Sequence, residues 1–287
     1  MNYPKISIVT PSYNQAQYLE DTIKSVLDQQ YPNLEYIIID GGSTDGSVDI
    51  IKKYEKYLAY WVSKSYQGLY PMVEDGFKKS SGEIMAWLNS DDMYHRKSLF
   101  TVAEIFTDFP KIKWMMGNPT WFDDQGRIVQ CAEAPRWSKY RFYTGDYRWI
   151  QQESTFWRKE LWEKAGAKMD PSLKLAGDLE LWIRFFRHEQ LYVIKGLIGG
   201  FRVRAKNQKS LESLNEYFIE AEKLLKREPI SFQDRTRIPF IKLYKLLLFH
   251  KIPILGAIPY SYLMKFPPEF VFDRFTQKFV YKKFGWH

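Results

Sequence analysis

Between residues 5 and 88 the chain alternates strand-length apolar runs with segments of helical spacing, four times in succession. Residues 5 to 10 (Lys-Ile-Ser-Ile-Val-Thr) alternate and branch at the β-carbon, which suits a strand, and Pro11-Ser12-Tyr13-Asn14 ends it. Leu19, Ile23, Val26 and Leu27 then recur on one helical face, stopped by Tyr31-Pro32-Asn33. An apolar strand over residues 34 to 39 runs into a polar loop at 40 to 47. A helix at 48 to 56, a strand at 60 to 63, a helix at 71 to 79 and a strand at 83 to 88 continue the rhythm. This pattern predicts a Rossmann-like, mostly parallel sheet with helices on both faces, and such sheets bind ligands beyond the carboxyl ends of their strands. The loops at 10 to 14, 40 to 47 and 89 to 92 are therefore expected to converge on one edge.

Downstream the pattern predicts a helix at 98 to 109, a strand at 114 to 117 and a hairpin turning at Asp123-Asp124-Gln125-Gly126. Residues 135 to 152 are crowded with Trp, Tyr and Arg at weak periodicity and read as a long, partly mobile loop. A strand at 153 to 158, helices at 159 to 165 and 178 to 186, strands at 191 to 194 and 197 to 203, and a helix at 211 to 226 follow. The expected organisation is one domain over residues 1 to 230, with halves at 1 to 117 and 118 to 230, and a tail at 231 to 287.

Charge separates these parts. The formal net charge is +8, and residues 231 to 287 hold ten Lys or Arg against Asp234, Glu269 and Asp273, so the tail carries +7 of it. A nearly neutral main domain argues against a nucleic-acid groove. In the tail, residues 238 to 249 are apolar except for Lys242 and Lys245, which with Arg235 lie within roughly an 80° arc. The run is too short to span a bilayer. It suits either a basic amphipathic helix on an anionic membrane or one packed against the main domain or another subunit. The only cysteine, Cys131, excludes an intramolecular disulfide, and residues 1 to 5 lack a signal-peptide layout; the expected location is cytoplasmic, or peripheral on the inner face of the membrane. No phosphate-binding Gly-x-x-x-x-Gly-Lys run occurs, and His95, His188, His250 and His287 lack metal-site spacing.

The opening Ser-Ile-Val-Thr-Pro-Ser-Tyr-Asn, Asp40 followed by Gly-Gly-Ser-Thr-Asp-Gly-Ser, and Leu-Asn-Ser-Asp-Asp at 88 to 92 together resemble the family 2 inverting glycosyltransferases of GT-A fold, of the bacterial surface-polysaccharide type. The likeness covers about residues 5 to 205 and implies transfer from a nucleotide-diphosphate sugar, probed first as a UDP-sugar, to a glycan or lipid-linked acceptor, with Mn or Mg as cofactor. It implies that Thr10, Pro11, Ser12 and Tyr13 line the base and ribose, largely through backbone groups, and that Asp40 accepts a hydrogen bond from the base. Alternatively, Asp40 is a turn or capping residue. By the same resemblance Ser90 and Asp91 lie near the ribose or metal and Asp92 coordinates the ion; a helix cap is again the alternative.

Inversion needs a base on the acceptor side, and Asp178 in Ala-Gly-Asp-Leu-Glu-Leu-Trp matches the family's base, with Glu180 second in line. Gly177 stands where relatives carry an acid, and Asp178 can instead be a first-turn residue favoured by the helix dipole. Gln152, Glu153 and Trp182 match acceptor-lining positions, and Trp149 or Trp157 offers a ring for a sugar face. Arg202 and Arg204 occupy an Arg-x-His segment that contacts the metal or diphosphate; Arg204 in the His position can pair with phosphate but not ligate a metal. Lys64, Tyr66 and Gln67-Gly68 also depart from the usual acidic pattern. These departures leave open a second class of function, a catalytically silent nucleotide-sugar or glycan-binding protein on the same fold.

Overall fold

The computed structural model describes residues 3–148, 150–204, 208, 212–250 and 260–282. Its strands are β1 (Ile6–Ser12), β2 (Leu34–Asp40), β3 (Tyr60–Ser63), β4 (Ile84–Trp87), β5 (Met93–Tyr94), β6 (Trp114–Asn118), β7 (Thr120–Phe122), β8 (Ile128–Cys131), β9 (Thr155–Arg158), β10 (Tyr192–Leu197), β11 (Gly199–Arg202), β12 (Glu269–Asp273) and β13 (Lys278–Lys282). Its helices are α1 (Ala16–Leu27), α2 (Ser47–Tyr54), α3 (Leu69–Lys79), α4 (Ser98–Asp108), α5 (Lys139–Tyr143), α6 (Lys159–Lys164), α7 (Gly177–His188), α8 (Leu214–Arg227), α9 (Phe232–Phe249) and α10 (Tyr260–Leu263).

Nine strands form the main sheet in the order β13-β12-β10-β6-β9-β4-β1-β2-β3, and β5-β11-β7-β8 form a second. Strands β3, β2, β1 and β4 are parallel, as the alternation predicts. All seven residues of β1 are buried, as expected of a strand covered on both faces. Strand β9 runs antiparallel between β4 and β6 and joins the nucleotide-side strands to the rest. The family's mixed α/β architecture with C-terminal helices is present.

Two expectations change. Residues 135 to 152 are not a mobile loop: they contain α5, and Trp137, Tyr140 and Phe142 are buried. Tyr140 and Phe142 build a second apolar cluster with Leu179 and Ile183 of α7, Ala221 of α8 and Ile241 of α9. Aromatic side chains can bury large areas without a helical period, so weak periodicity was a poor guide here. Trp149 lies outside the described residues.

The tail is also more than a helical appendage. Strand β12 pairs parallel with β10, β13 completes a hairpin on it, and Phe270 is fully buried in the main core. The division expected at residue 230 therefore marks a change in charge rather than a break in packing. Helix α9 is anchored at its start, where Asp234 accepts hydrogen bonds from Lys139 Nζ and Tyr140 Oη, both at 2.6 Å. Among the described residues, no helix is long and apolar enough to cross a membrane.

Candidate active site

The loops after β1, β2 and β4 lie at one sheet edge, and the polar groups of the first two bind one another. Asn14 N donates to Ser43 Oγ at 2.8 Å, Thr44 N to Asn14 Oδ1 at 2.9 Å, and Ala16 N to Asp45 Oδ2 at 2.9 Å. The last contact satisfies an otherwise orphan amide at the start of α1 from a different loop. Asp40 is fully buried, and its carboxylate accepts from Gly42 N, Ser43 N, Ser43 Oγ and Ser63 Oγ. Asp40 thus organises the turn, the alternative role expected of it, and a base could reach it only by displacing a serine hydroxyl. Thr10, Pro11 and Ser12 are buried, Thr10 against the Tyr36 hydroxyl, so only Tyr13 presents its side chain to the surface there, at 55 % exposure.

The two acids after β4 are buried to different depths. Asp92 is fully buried; its Oδ1 accepts Arg202 N at 2.9 Å and its Oδ2 accepts Asn89 Nδ2 at 3.2 Å. Burial, then the charges of Asp91 and Glu153, push its carboxyl well above the usual range. The Asp92 carboxylate is thus held by the Arg202 amide and Asn89, directly beside Asp91. Asp91 is less deeply buried, and its Oδ2 pairs with Arg204 at 3.1 Å. Ser90 is buried beside it. Asn89 lines the main cavity, and its Oδ1 has no hydrogen-bond partner among the described residues.

Asp91, Asp92 and Asn89 offer carboxylate and amide oxygens of the kind a hard divalent ion takes, with a bound diphosphate supplying further oxygens. Among the described residues no cluster of three or more His, Cys, Asp or Glu converges. The described residues alone do not complete a coordination shell.

Arg202 is placed away from the surface expected of a phosphate ligand. Its side chain is fully buried and donates to the carbonyls of Asp91 (2.7 Å), Asp123 (3.2 Å) and Asp124 (3.1 Å), while pairing with Asp21 at 3.2 Å. It clasps loops together and is not free for phosphate. Arg204 is held by Asp91 and by Gln15 Oε1 at 3.2 Å, at the edge where a diphosphate would lie.

Opposite, the main cavity of about 830 Å³ is lined by Asn89, Gln152, Glu153 and Asp178 together with Trp121 and Tyr217. Asp178 sits in the first turn of α7, held in place because Glu220 accepts the amides of Lys174, Leu175 and Ala176 just before it, at 2.8 to 3.0 Å. Burial raises its carboxyl to about 6 against the opposing hydrogen bond from Leu179 N, with Glu220 adding a smaller push. Gly177 has a steric reason: a Cβ there would lie 2.5 Å from the Tyr70 ring, whose hydroxyl donates to Leu175 O at 2.8 Å. An acid at 177 would collide with that ring.

Glu180, the second candidate base, is bound at both oxygens by Arg184 at 2.7 Å and does not line the cavity. Trp182 and Trp157 are also corrected. Both lie in the core, Trp182 stacked on Trp87 at 5.8 Å and on Trp114 at 5.6 Å, so neither can meet a sugar. Trp121, Tyr217 and Asn89, not singled out above, take the wall positions. Asn89 stood in the motif itself, while Trp121 lay in a three-residue strand and Tyr217 on a helix whose period does not say which face meets the cavity.

Gln152 donates to the Trp87 carbonyl, and its Oε1 lacks a partner among the described residues. Glu153 is buried, with Oε1 likewise unpartnered. Burial first, then the charges of Asp178 and Asp91, raise its carboxyl to about 8. It is a neutral acid in a wall shared with an ionisable Asp178.

The family described as Glycosyl transferase family 2 matches residues 7–162. A putative teichuronic acid biosynthesis glycosyltransferase, TuaG of Bacillus subtilis, is 40 % identical over 101 residues, 33 % of this chain and 39 % of that protein. An uncharacterized glycosyltransferase of Rickettsia prowazekii is 27 % identical over 81 % of this chain and 76 % of its own. Among solved structures, S. aureus TarS 1-349 in complex with UDP-GlcNAc aligns at a TM-score of 0.65 and 19 % identity, covering 85 % of this chain and 73 % of that one. The mannosyltransferase PcManGT of Pyrobaculum calidifontis, with GDP-Man and Mn2+, aligns at 0.63 and 14 % identity, covering 92 % and 79 %. These structural likenesses establish a shared fold.

Proposed function

The chain belongs to glycosyl transferase family 2, and we propose that it transfers a sugar with inversion from a nucleotide-diphosphate sugar, most simply a UDP-sugar, to a glycan or lipid-linked acceptor in surface polysaccharide or glycolipid synthesis. The observation that carries this reading is one cavity lined both by Asn89, of the acidic stretch after β4, and by Asp178. The TarS and PcManGT complexes hold nucleotide sugars, and the TuaG relative is ascribed to teichuronic acid synthesis, which supports the donor class and the pathway class.

In this reading Tyr13 and the loop braced by Asp40 receive the nucleoside, and Arg204 turns from Asp91 towards the diphosphate. Asp91 and Asp92, with Asn89 Oδ1 beside them, would hold Mn or Mg, which would offset charge on the departing diphosphate. Asp178 takes the proton from the acceptor hydroxyl. That oxygen then bonds to the anomeric carbon from the face opposite the diphosphate, the carbon–phosphate-oxygen bond breaks with its electron pair leaving on the nucleotide, and configuration inverts. With its carboxyl near 6, Asp178 is ionised at neutral pH yet more basic than an ordinary aspartate. Glu153, neutral in the same wall, donates a hydrogen bond to a sugar oxygen. Among the described residues α9 leaves Phe240, Leu243, Leu246 and Phe249 exposed, with Arg235 and Lys242 also exposed beside them, which suits a peripheral position on an anionic inner membrane face.

The test is UDP release from a panel of UDP-sugars with Mn or Mg, for wild type, Asp91→Ala and Asp178→Asn. Transfer lost in both variants, with UDP binding retained in Asp178→Asn, is expected. Binding without turnover in the wild type would identify a silent binding protein, and no nucleotide binding at all would sink both readings.

A further inference from the structure

A second pocket, of about 390 Å³, shares no lining residue with the active-site cavity. Arg136, Arg141, Arg148 and Lys245 line it with Asp146, Tyr260 and Phe266, so the lining itself holds four cations and one carboxylate, with Glu269 acting on Arg136 from outside it. Asp146 is already shared: Arg141 binds its Oδ2 at 2.8 Å, and Arg148 binds Oδ1 at 2.9 Å and Oδ2 at 2.8 Å. Lys245 of α9 donates to Thr144 Oγ1 at 2.7 Å and pairs with no carboxylate among the described residues. Burial lowers the pKa of its ammonium; Asp146 opposes this, and Arg141, Arg148 and Lys242 add to it. Arg141 stacks on Trp137 at 4.4 Å and Arg136 on Phe266 at 5.1 Å, which fixes the guanidinium planes in place.

Cations held close together in a half-buried pocket repel one another, and a polyvalent anion relieves that repulsion. Guanidinium forks match the oxygens of a phosphate bidentately, with lysine adding a point charge. The pocket also adjoins a membrane-suited surface. Lys245 lies on the same helix as the exposed Phe240, Leu243, Leu246 and Phe249.

We propose that this pocket is a phosphate-binding site, separate from the active site, that takes the phosphomonoester headgroup of a membrane lipid while the apolar face of α9 rests in the interface. A soluble anion would satisfy the charges but leave the apolar face beside them without a partner. The lipid source rests on the membrane part of the proposed function; the phosphate chemistry does not.

The experiment uses the full chain and vesicles of phosphatidylcholine containing either phosphatidic acid or phosphatidylglycerol, matched in surface potential, with pyrophosphate titrated by calorimetry in parallel. Wild type is expected to bind the phosphatidic acid vesicles about tenfold more tightly than the phosphatidylglycerol ones. Arg148→Gln/Lys245→Gln should lose that preference together with pyrophosphate binding. The control Arg235→Gln/Lys242→Gln should weaken binding to both vesicles equally, by about fivefold per charge, and keep the preference. UDP binding reports that each variant is folded. Equal binding of both vesicles by wild type, or a preference surviving in the pocket variant, overturns the site while leaving the membrane reading intact. Pyrophosphate binding that depends on Arg148 and Lys245 without any vesicle binding overturns the lipid source and the membrane reading together.

Discussion

At the scale of single residues, the two carboxyls in the wall of the cavity carry opposite pH signatures. Asp178 must be ionised to accept a proton, so kcat/KM should climb with pH through about 6 and lose that limb in Asp178→Asn, whose residual rate falls by about 10²- to 10⁴-fold. An acidic limb persisting unchanged in the variant would assign it elsewhere. Glu153 stays protonated to about 8 against an ordinary 4.5, so between those values the folded chain holds a proton that the unfolded chain has released. Its contribution to stability is therefore complete below about 4.5 and is lost as pH rises towards 8. Glu153→Gln keeps the neutral shape, so its stability advantage over wild type should widen across that window in urea titrations without divalent ions; parallel curves would refute a neutral Glu153. Pairs such as Asp91 and Asp92 show why such assignments were only half legible in sequence. Adjacent acids have the same composition, and which one faces the cleft depends on where β11 delivers the Arg202 amide, 110 residues away.

At the scale of elements, hydrophobic period located β1, β2, β3 and β4 to within a residue or two, because buried parallel strands need continuous apolar runs. Arg202 was read from its motif as a phosphate ligand because a buried guanidinium and an exposed one look alike in sequence. Its actual work is to tie β11 to the loops at 91 and 123 to 124 and to α1 through Asp21. Arg202→Met matches its length but leaves three carbonyls without that donor. We expect a loss of about 3–5 kcal/mol, seen as a lower urea midpoint, and weaker UDP binding as the Asp91 loop loosens. Wild-type stability with weakened UDP binding would instead return Arg202 to the ligand site.

At the scale of the whole molecule, the basic tail is built into the main sheet, which charge alone could not reveal. Its hairpin closes one edge of the main sheet, with Phe270 packed 4.6 Å from Phe109 and Tyr281 5.0 Å from the same ring. Strands this short, between basic and aromatic residues, carry too little alternation to stand out. Cutting the chain at 230 to test membrane binding would therefore also strip two strands from the sheet, and the burial of Phe270 alone is worth about 1.5–3 kcal/mol. The exposed face of α9 can be tested without that damage. Leu243 and Leu246 are 54 % and 53 % exposed, so Leu243→Glu/Leu246→Glu should change stability by no more than about 0.5 kcal/mol per site. The same pair should abolish flotation with anionic vesicles, since it removes apolar insertion and adds repulsion from the lipid charge. A large fall in melting temperature would instead mean that this face packs on protein, a second copy included, and unchanged flotation would move the membrane contact away from α9.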